Sequence, residues 1–174
     1  TKDAALEAIE KLGYPVVLKP AIGTWGALCA KINDKEAAEA VIDHKEKLGS
    51  YHHSVYYIQE YIKKPDRDIR VFVVGNKIVG ALYRNSKHWM TNKEGTFTLE
   101  KCEVTPEIKD LALKAKLAVG ADIVAIDMLE KGNKILVNEI NYTVEFTNFF
   151  PAINESIVSD IIDLVEEKYN EVRI

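Results

Sequence analysis

Apolar residues recur at helical spacing in four segments of the chain. In residues 1–12 they fall at Ala5, Ile9 and Leu12 between charged positions, and Gly13 follows the last of them. This spacing predicts an amphipathic helix that ends at a glycine. The same pattern, with a capping residue before it and a glycine after it, predicts helices over residues 33–48 and 105–119. A final helix is predicted over residues 156–170.

Runs of β-favouring residues predict the strands. Two hairpins are indicated where a glycine–asparagine pair separates such runs: Gly75-Asn76 between 68–74 and 77–83, and Gly132-Asn133 between 122–129 and 134–141. Further strands are predicted over residues 14–20, 28–32 and 54–62. The polar stretch 85–100 predicts a long loop of functional type.

The elements together predict the α+β class. No repeat or low-complexity segment divides the chain, so the order of the elements alone suggests a boundary near Tyr61. We expect a small lobe at residues 1–61 and a larger antiparallel sheet with helices at residues 62–174. Clefts between such lobes are common ligand sites.

Composition and charge exclude several classes of protein. The 174 residues are 47% hydrophobic and 29% charged, and the net charge of −4 comes with scattered basic residues. A nucleic-acid partner is therefore not expected. No apolar run is long enough to span a bilayer and no signal peptide is present at the first residues, so we expect no membrane partner and a cytoplasmic location.

The two cysteines do not indicate a metal site. Cys29 and Cys102 are far apart in sequence, and neither has a nearby Cys or His at metal-binding spacing. We interpret both as packing residues.

Acidic positions inside the second predicted hairpin are candidates for a magnesium site. Glu139 and Asn141 share a strand face, and Asp127 joins them if the register places it opposite Glu139. Two carboxylates and an amide suit a hard divalent cation. The spacing fits solvent-facing residues of an exposed sheet equally well.

Cationic side chains and a glycine loop suggest phosphate recognition. Lys19 ends a hydrophobic strand directly before Gly23-Thr24-Trp25-Gly26, and Arg70 and Arg84 lie on the two arms of the first hairpin. Lone strand-end lysines and surface arginines are usually just solvated cations, and the adjacent glycine loop is what favours a phosphate role for Lys19. The loop is neither a Walker A sequence nor a Rossmann fingerprint.

Two further segments are candidates for ligand contacts. The strand end at residues 59–62 can present main-chain groups to an adenine ring, or it is simply an edge strand. His88, Trp89, Thr91 and Asn92 in the long loop are candidates for a lid or a substrate contact. No Ser-His-Asp or Cys-His order suggests a covalent nucleophile.

In order and spacing, these motifs resemble the RimK-type ATP-grasp ligases over nearly the whole chain. The motifs are Pro15-Val16-Val17-Leu18-Lys19-Pro20, Gly23-Thr24-Trp25-Gly26, Tyr57-Ile58-Gln59-Glu60-Tyr61-Ile62, Asp68-Ile69-Arg70-Val71-Phe72-Val73-Val74-Gly75, Asp127 and Asn138-Glu139-Ile140-Asn141. Within that family, three segments are most similar to ligases that attach α-aminoadipate or glutamate to an acidic amino-group carrier protein. They are Tyr83-Arg84, His88-Trp89-Met90-Thr91-Asn92 and Asn141-Tyr142-Thr143-Val144-Glu145-Phe146-Thr147-Asn148.

The resemblance implies an ATP-grasp fold, with two α+β lobes and ATP bound between them, and it implies roles for individual residues. Arg70 and Arg84 are the implied catalytic residues, and Asp127, Glu139 and Asn141 are the implied Mg²⁺ ligands. The implied nucleotide contacts are Lys19, Gly23, Thr24, Trp25, Gly26, Gln59, Glu60, Tyr61, Ile62 and Asp68. The implied substrate contacts are Arg84, Asn85, His88, Asn92, Asn141, Thr143, Glu145 and Asn148.

The implied reaction joins the C-terminal carboxylate of the carrier protein to the amine of free glutamate or α-aminoadipate through an acyl-phosphate, in lysine or arginine biosynthesis. A homo-oligomer is also implied, and the family's N-terminal domain is expected to be absent from this chain. Ala27, where relatives often carry arginine, and Lys93-Glu94-Gly95-Thr96, in place of an arginine-glycine-glycine stretch, leave the choice of substrate open. Two alternatives remain, a ligase that adds glutamate to a protein or peptide tail and a nucleotide-binding module without catalysis.

Overall fold

The structure is a computed structural model, and it describes residues 1–21, 26–49, 55–93, 95, 97–146, 149 and 157–172. The chain forms two compact units. The first comprises Thr1–Lys63 and Asn92–Glu94, and the second comprises Lys64–Thr91 and Gly95–Ile174. The assignment of residues 1–61 and 62–174 to the two ATP-grasp lobes stays a prediction.

The first unit is a small antiparallel sheet with two helices. The sheet has the order β2-β1-β3. The elements are α1 (Lys2–Leu12), β1 (Val16–Lys19), β2 (Ala30–Ile32), α2 (Lys35–Leu48) and β3 (Tyr57–Glu60).

Side-chain caps define where the two helices begin. The Thr1 hydroxyl accepts a hydrogen bond from the Ala4 amide, and the Asp34 carboxylate accepts one from the Ala37 amide at 2.8 Å. These bonds satisfy amides that have no partner inside the helix. Both helix predictions are confirmed, and α1 ends at Gly13 as expected.

One face of this sheet and both helices enclose the core of the first unit. Val16, Leu18 and Ile32 pack there with Ile9 of α1 and Ile42 of α2, and all five are buried. Because strand side chains alternate, the other face of the sheet carries Val17, Lys19 and their cross-strand neighbours.

The second unit is a five-stranded antiparallel sheet of order β6-β5-β4-β7-β8. Its elements are β4 (Arg67–Val74), β5 (Lys77–Asn85), β6 (Thr98–Lys101), α3 (Pro106–Ala118), β7 (Ile123–Lys131), β8 (Lys134–Asn141) and α4 (Ile157–Val172). Both predicted hairpins and both predicted helices are confirmed. None of the described helices is long and apolar enough to cross a membrane.

The second sheet has a core on each face. One core joins Val71 and Ile126 to Ile108 and Ala112 of α3. The other core contains Phe72, Leu82, Ala125, Phe149, Ile157 and Leu164, and the last two belong to α4.

The predicted loop over residues 85–100 was wrong at both ends. β5 continues through Asn85, and Thr98–Lys101 forms β6, which pairs with β5 from Leu82↔Lys101 to Asn85↔Thr98. The four residues of β6 are mostly exposed, so they have no apolar alternation that the sequence could show.

Candidate functional site

Charged residues lie on the face of the second sheet that also carries the core around Phe72. Asp68 and Arg70 alternate with apolar residues along β4, so they lie on the same face as Phe72. The register places Arg84 of β5 opposite Asp68 and Asp127 of β7 opposite Arg70. Strand pairing therefore brings two arginines and two aspartates together.

These four side chains form a continuous ion-pair network. Arg84 donates from Nε and Nη2 to the two oxygens of Asp68 at 2.7 and 3.0 Å, and its Nη2 lies 3.1 Å from Asp127 Oδ1. Arg70 Nη1 donates to both oxygens of Asp127 at 3.0 and 3.2 Å. The carboxylate of Asp127 is thus shared between the two guanidinium groups.

All four residues of the network are buried. Burial disfavours the charge of the Arg84 guanidinium, but Asp127 and Asp68 more than offset it and raise the pKa of Arg84. Buried charges are tolerated when they are paired and hydrogen-bonded. The network therefore keeps fixed, permanently charged donors on this sheet face.

Arg70 holds a donor that the described residues leave unused. Its Nε is buried and has no hydrogen-bond acceptor among them, while its guanidinium carbon lies 5.4 Å from the centre of the Phe149 ring and 5.8 Å from that of Phe72. An unsatisfied buried donor is unfavourable by about 1–3 kcal/mol. An anionic oxygen placed beside this nitrogen would remove that penalty.

The three candidate magnesium ligands lie on neighbouring strands. Asp127 pairs in register with Glu139, as required by the sequence prediction, and Asn141 Nδ2 lies 3.5 Å from Asp127 Oδ2. A β-bulge follows at Asn138, because Met128 pairs with Val137. Bulges often redirect side chains next to active sites.

This donor set fits Mg²⁺ chemically. Asp127 and Glu139 offer hard carboxylate oxygens from opposed positions, and magnesium commonly uses one or two carboxylates together with substrate phosphates. Among the described residues, no group of three or more His, Cys, Asp and Glu side chains is arranged to hold a metal. To hold a metal, Asp127, Glu139 and Asn141 would therefore need further oxygen ligands from a bound substrate or from solvent. The metal role of Asp127, Glu139 and Asn141 stays a prediction.

The loop after β5 is tied to the buried network. The Thr91 hydroxyl donates a hydrogen bond to Asp68 Oδ2 and accepts one from Lys64 Nζ at 3.3 Å, while the same Nζ donates to the Arg67 carbonyl at 3.0 Å. Burial lowers the pKa of Lys64, and the charge of Asp68 opposes this shift.

Other predicted substrate contacts lie at different places. Asn85 is on the opposite sheet face, where its amide donates to Glu100 at 3.2 Å. His88 lies within the loop, and its Nδ1 accepts a hydrogen bond from the Met90 amide at 3.1 Å. Thr143 and Glu145 are exposed, and Asn92 is half-buried and belongs to the first unit.

In the first unit, the sheet face away from the helices carries a cationic and aromatic row. Lys19 pairs in register with Tyr57, and its Nζ lies 5.8 Å from that ring. Lys31 shares a row with Gln59, and its Nζ lies 3.9 Å from the centre of the Tyr61 ring. Such a surface suits a nucleotide, because phosphates attract ammonium groups and bases stack on rings.

Several predicted nucleotide contacts also belong to this unit. Glu60 ends β3, and the Tyr61 amide donates to the Pro15 carbonyl at 3.2 Å. Ile62 is buried, and Gly26 has a positive φ of 67°. Gly23, Thr24, Trp25 and Asn148 lie outside the described residues.

Sequence reasoning did not single out Lys31 or Lys64. Strand alternation in residues 28–32 separates Lys31 from Ala30 and Ile32, but only the register with Val17 places it on the face of Lys19. Lys64 comes just before Pro65 in an irregular segment, and no sequence pattern connects it with Thr91.

The comparison with protein families shows to which family the chain belongs. Residues 1–165 match the model of the RimK-like ATP-grasp domain, so the chain belongs to that family.

Two curated relatives are similar to this chain over nearly its whole length. The chain is 36% identical over 169 residues to the α-aminoadipate–LysW ligase LysX of Sulfurisphaera tokodaii, covering 96% of this chain and 59% of that protein. It is 35% identical over 172 residues to the glutamate–LysW ligase ArgX of Sulfolobus acidocaldarius, covering 97% and 61%. The chain thus spans about 60% of the length of these relatives.

A solved structure shares the fold. The ATP-grasp ligase PsnB, in complex with a phosphomimetic variant of its minimal precursor, Mg and ADP, matches with a TM-score of 0.71 at 22% identity. The match covers 97% of this chain and 51% of that one.

Proposed function

We propose that this chain carries the ATP-grasp part of a Mg²⁺-dependent, ADP-forming ligase that joins free glutamate or α-aminoadipate to the C-terminal carboxylate of an acidic carrier protein of the LysW kind. Its place would be lysine or arginine biosynthesis in the cytoplasm, and a homo-oligomer is expected. The observation that supports this proposal most is the buried network of Arg70, Arg84, Asp68 and Asp127 beside Glu139, in a chain about 35% identical to LysX and ArgX.

Two arginines suit a reaction in which every substrate carries negatively charged oxygens. ATP, the carrier carboxylate and the acidic amino acid all present oxygen anions, and the charged N–H groups of a guanidinium bind such oxygens strongly. The unused Nε of Arg70 supports a role of this residue beside such an oxygen. Arg84 is fixed by Asp68, so it needs no reorganisation when charge develops.

The proposed chemistry needs no covalent protein nucleophile. A carrier carboxylate oxygen attacks the γ-phosphorus of ATP and ADP leaves, and the amine of the amino acid then attacks the acyl carbon while inorganic phosphate leaves and the amine loses a proton. Catalysis by positioning and charge neutralisation is typical of phosphoryl transfer. When bound, Mg²⁺ would neutralise phosphate charge, with Asp127, Glu139 and Asn141 as its expected holders.

The first test is ADP release by the purified full-length enzyme that contains this chain, with Mg²⁺ and the acidic carrier, offering glutamate and α-aminoadipate separately. We expect turnover with one of the two, and its loss in Glu139→Gln, which keeps the side-chain shape but removes the charge. Glu130→Gln is the matched control, because Glu130 is on the same hairpin and pairs with Arg67.

The outcomes separate the alternatives. Turnover with a peptide or protein tail instead of the carrier would support the glutamate-adding ligase. Binding of ATP without turnover on any acceptor would leave the nucleotide-binding module and contradict the ligase proposal.

A further inference from the structure

Thr91 connects the loop after β5 to the buried ion pairs. The residue is only 2% exposed, and its hydroxyl lies between an ammonium group and a carboxylate. A hydroxyl has one hydrogen to donate and lone pairs to accept with, so Thr91 donates to Asp68 and accepts from Lys64. Both capacities are used inside the second unit.

The contacts continue as a chain of alternating charge. Lys64 leads through Thr91 to Asp68, and Asp68 holds both donors of the Arg84 fork. Arg84 then contacts Asp127, which also binds Arg70. Each member is fixed by its neighbours, so displacement of one end changes the position of the next charged group.

The same loop also makes contacts at its start and within it. The Ser86 amide donates to the Asp66 carbonyl at 2.8 Å at the start of the loop, and the His88 amide donates to Ser86 Oγ at 3.2 Å within it. At its far end, Thr91 contacts Asp68 and Lys64. The loop between Ser86 and Thr91 includes His88 and Trp89, whose rings stack 5.9 Å apart.

We infer that Thr91 is a positioning residue whose hydroxyl couples the conformation of the Ser86–Thr91 loop to the orientation of Arg84. The catalytic part of this inference rests on the proposed function, since it concerns the amino-acid substrate and Arg84. The structural part, the tether of the loop, stands on the contacts alone.

The test compares Thr91→Val, which keeps the shape and removes the hydroxyl, with Thr91→Ser, which keeps the hydroxyl. Thr105→Val is the matched control, because it removes a hydroxyl that caps α3 and belongs to no part of the site. We expect Thr91→Val to lower kcat about tenfold or more, because small misplacement of catalytic groups slows reactions strongly. The KM for ATP should change little, and Thr91→Ser should restore kcat.

A second readout does not require activity. The chain has two tryptophans, so replacing Trp25 by Phe leaves Trp89 as a fluorescent reporter inside the loop. Acrylamide should quench Trp89 more strongly in Thr91→Val than in the parent, in Thr91→Ser or in Thr105→Val. If wild-type protein shows no turnover, the proposed function fails, and this quenching still decides whether Thr91 tethers the loop.

The inference is overturned if Thr91→Val matches Thr105→Val in both readouts, or if Thr91→Ser is as impaired as Thr91→Val, since packing of the methyl group would then be the cause. If Thr91→Val does not fold, Lys64→Met takes its place. It removes one donor to the same hydroxyl and leaves the bond to Asp68, so a smaller loss in the same direction is expected. No change in quenching or kcat would contradict the inference.

Discussion

Two guanidinium–carboxylate pairs of similar geometry lie on opposite faces of the second sheet. Arg84 and Asp68 form one pair, with donor–acceptor distances of 2.7 and 3.0 Å. Arg67 and Glu130 form the other, with distances of 2.7 and 2.8 Å. Side-chain exposure is 3% and 7% in the first pair but 35% and 19% in the second. Water screens the second pair, so the same contact contributes differently to stability at the two places.

Neutralising the carboxylate should therefore have unequal effects. Asp68→Asn is expected to lower the free energy of unfolding by about 3 kcal/mol or more, since it leaves a buried guanidinium incompletely paired. Glu130→Gln should lower it by about 1 kcal/mol or less. Urea denaturation of both variants measures the difference, and equal losses would show that burial does not set the contribution of these pairs.

The two cysteines differ in accessibility and should differ in reactivity. Cys102 is buried in the core under α3, and burial raises the pKa of its thiol, whereas Cys29 is half-exposed. Thiol reagents attack accessible thiolates. Ellman's reagent should therefore modify one thiol per chain in the folded protein and both in urea. Rapid modification of Cys102, identified by peptide mass spectrometry, would contradict its burial.

At the scale of elements, the two hairpins use the same turn in different surroundings. Gly75 and Gly132 each have positive φ, 55° and 60°, and each precedes an asparagine. A Cβ added at Gly75 would lie 3.2 Å from Leu164 Cδ1 of α4, whereas one at Gly132 meets nothing within 4 Å. One turn is packed and the other is open.

Alanine at the two turns should separate backbone strain from packing. Gly132→Ala is expected to lower the free energy of unfolding by about 1–2 kcal/mol, the penalty of a left-handed conformation for a residue with a Cβ. Gly75→Ala should lower it by about 1 kcal/mol more, because Leu164 must also move. Thermal and urea unfolding of both variants measure this, and an equal loss would mean that Leu164 shifts freely.

Elements with strong local signals could be predicted from the sequence, and β6 could not. The hairpins follow from glycine–asparagine turns and α3 from Thr105 before Pro106, all of which are local features. β6 exists because its backbone pairs with β5 at residues up to 19 positions earlier, from Leu82↔Lys101 to Asn85↔Thr98. Such pairing is set by the whole sheet and not by side-chain pattern.

At the scale of the whole molecule, the sequence offered candidate site residues but did not show how they contact one another. Alternation placed Glu139 and Asn141 on one strand face, and the pairing of Asp127 with Glu139, which the sequence left open, follows from the register and its bulge at Asn138. Alternation also did not show that Asp68, expected to bind the cofactor, has its oxygens engaged by Arg84 and Thr91. Those contacts join different elements, and their geometry depends on how the chain folds between them.

Each unit carries candidate ligand-binding residues. For the whole molecule we therefore predict that a bound nucleotide raises its stability, and that this increase depends on Mg²⁺. A ligand that binds only the folded state at about 100 times its Kd adds about 2.7 kcal/mol. For a chain of this size that corresponds to a rise in Tm of about 5–10 °C. ATP with Mg²⁺ should produce this rise, and removing Mg²⁺ with EDTA should remove most of it.

The Glu139→Gln variant tests whether the predicted metal ligands cause the Mg²⁺-dependent rise in Tm. With the Glu139 charge removed, the carboxylate oxygens expected at the site fall from two residues to Asp127 alone, which already binds two guanidinium groups. The Mg²⁺-dependent part of the rise should therefore disappear in Glu139→Gln and persist in Glu130→Gln, while both variants melt as folded proteins without ligand. An undiminished rise in Glu139→Gln would place the metal elsewhere, and the network of Arg70 and Arg84 would then bind the anionic substrate without a neighbouring cation.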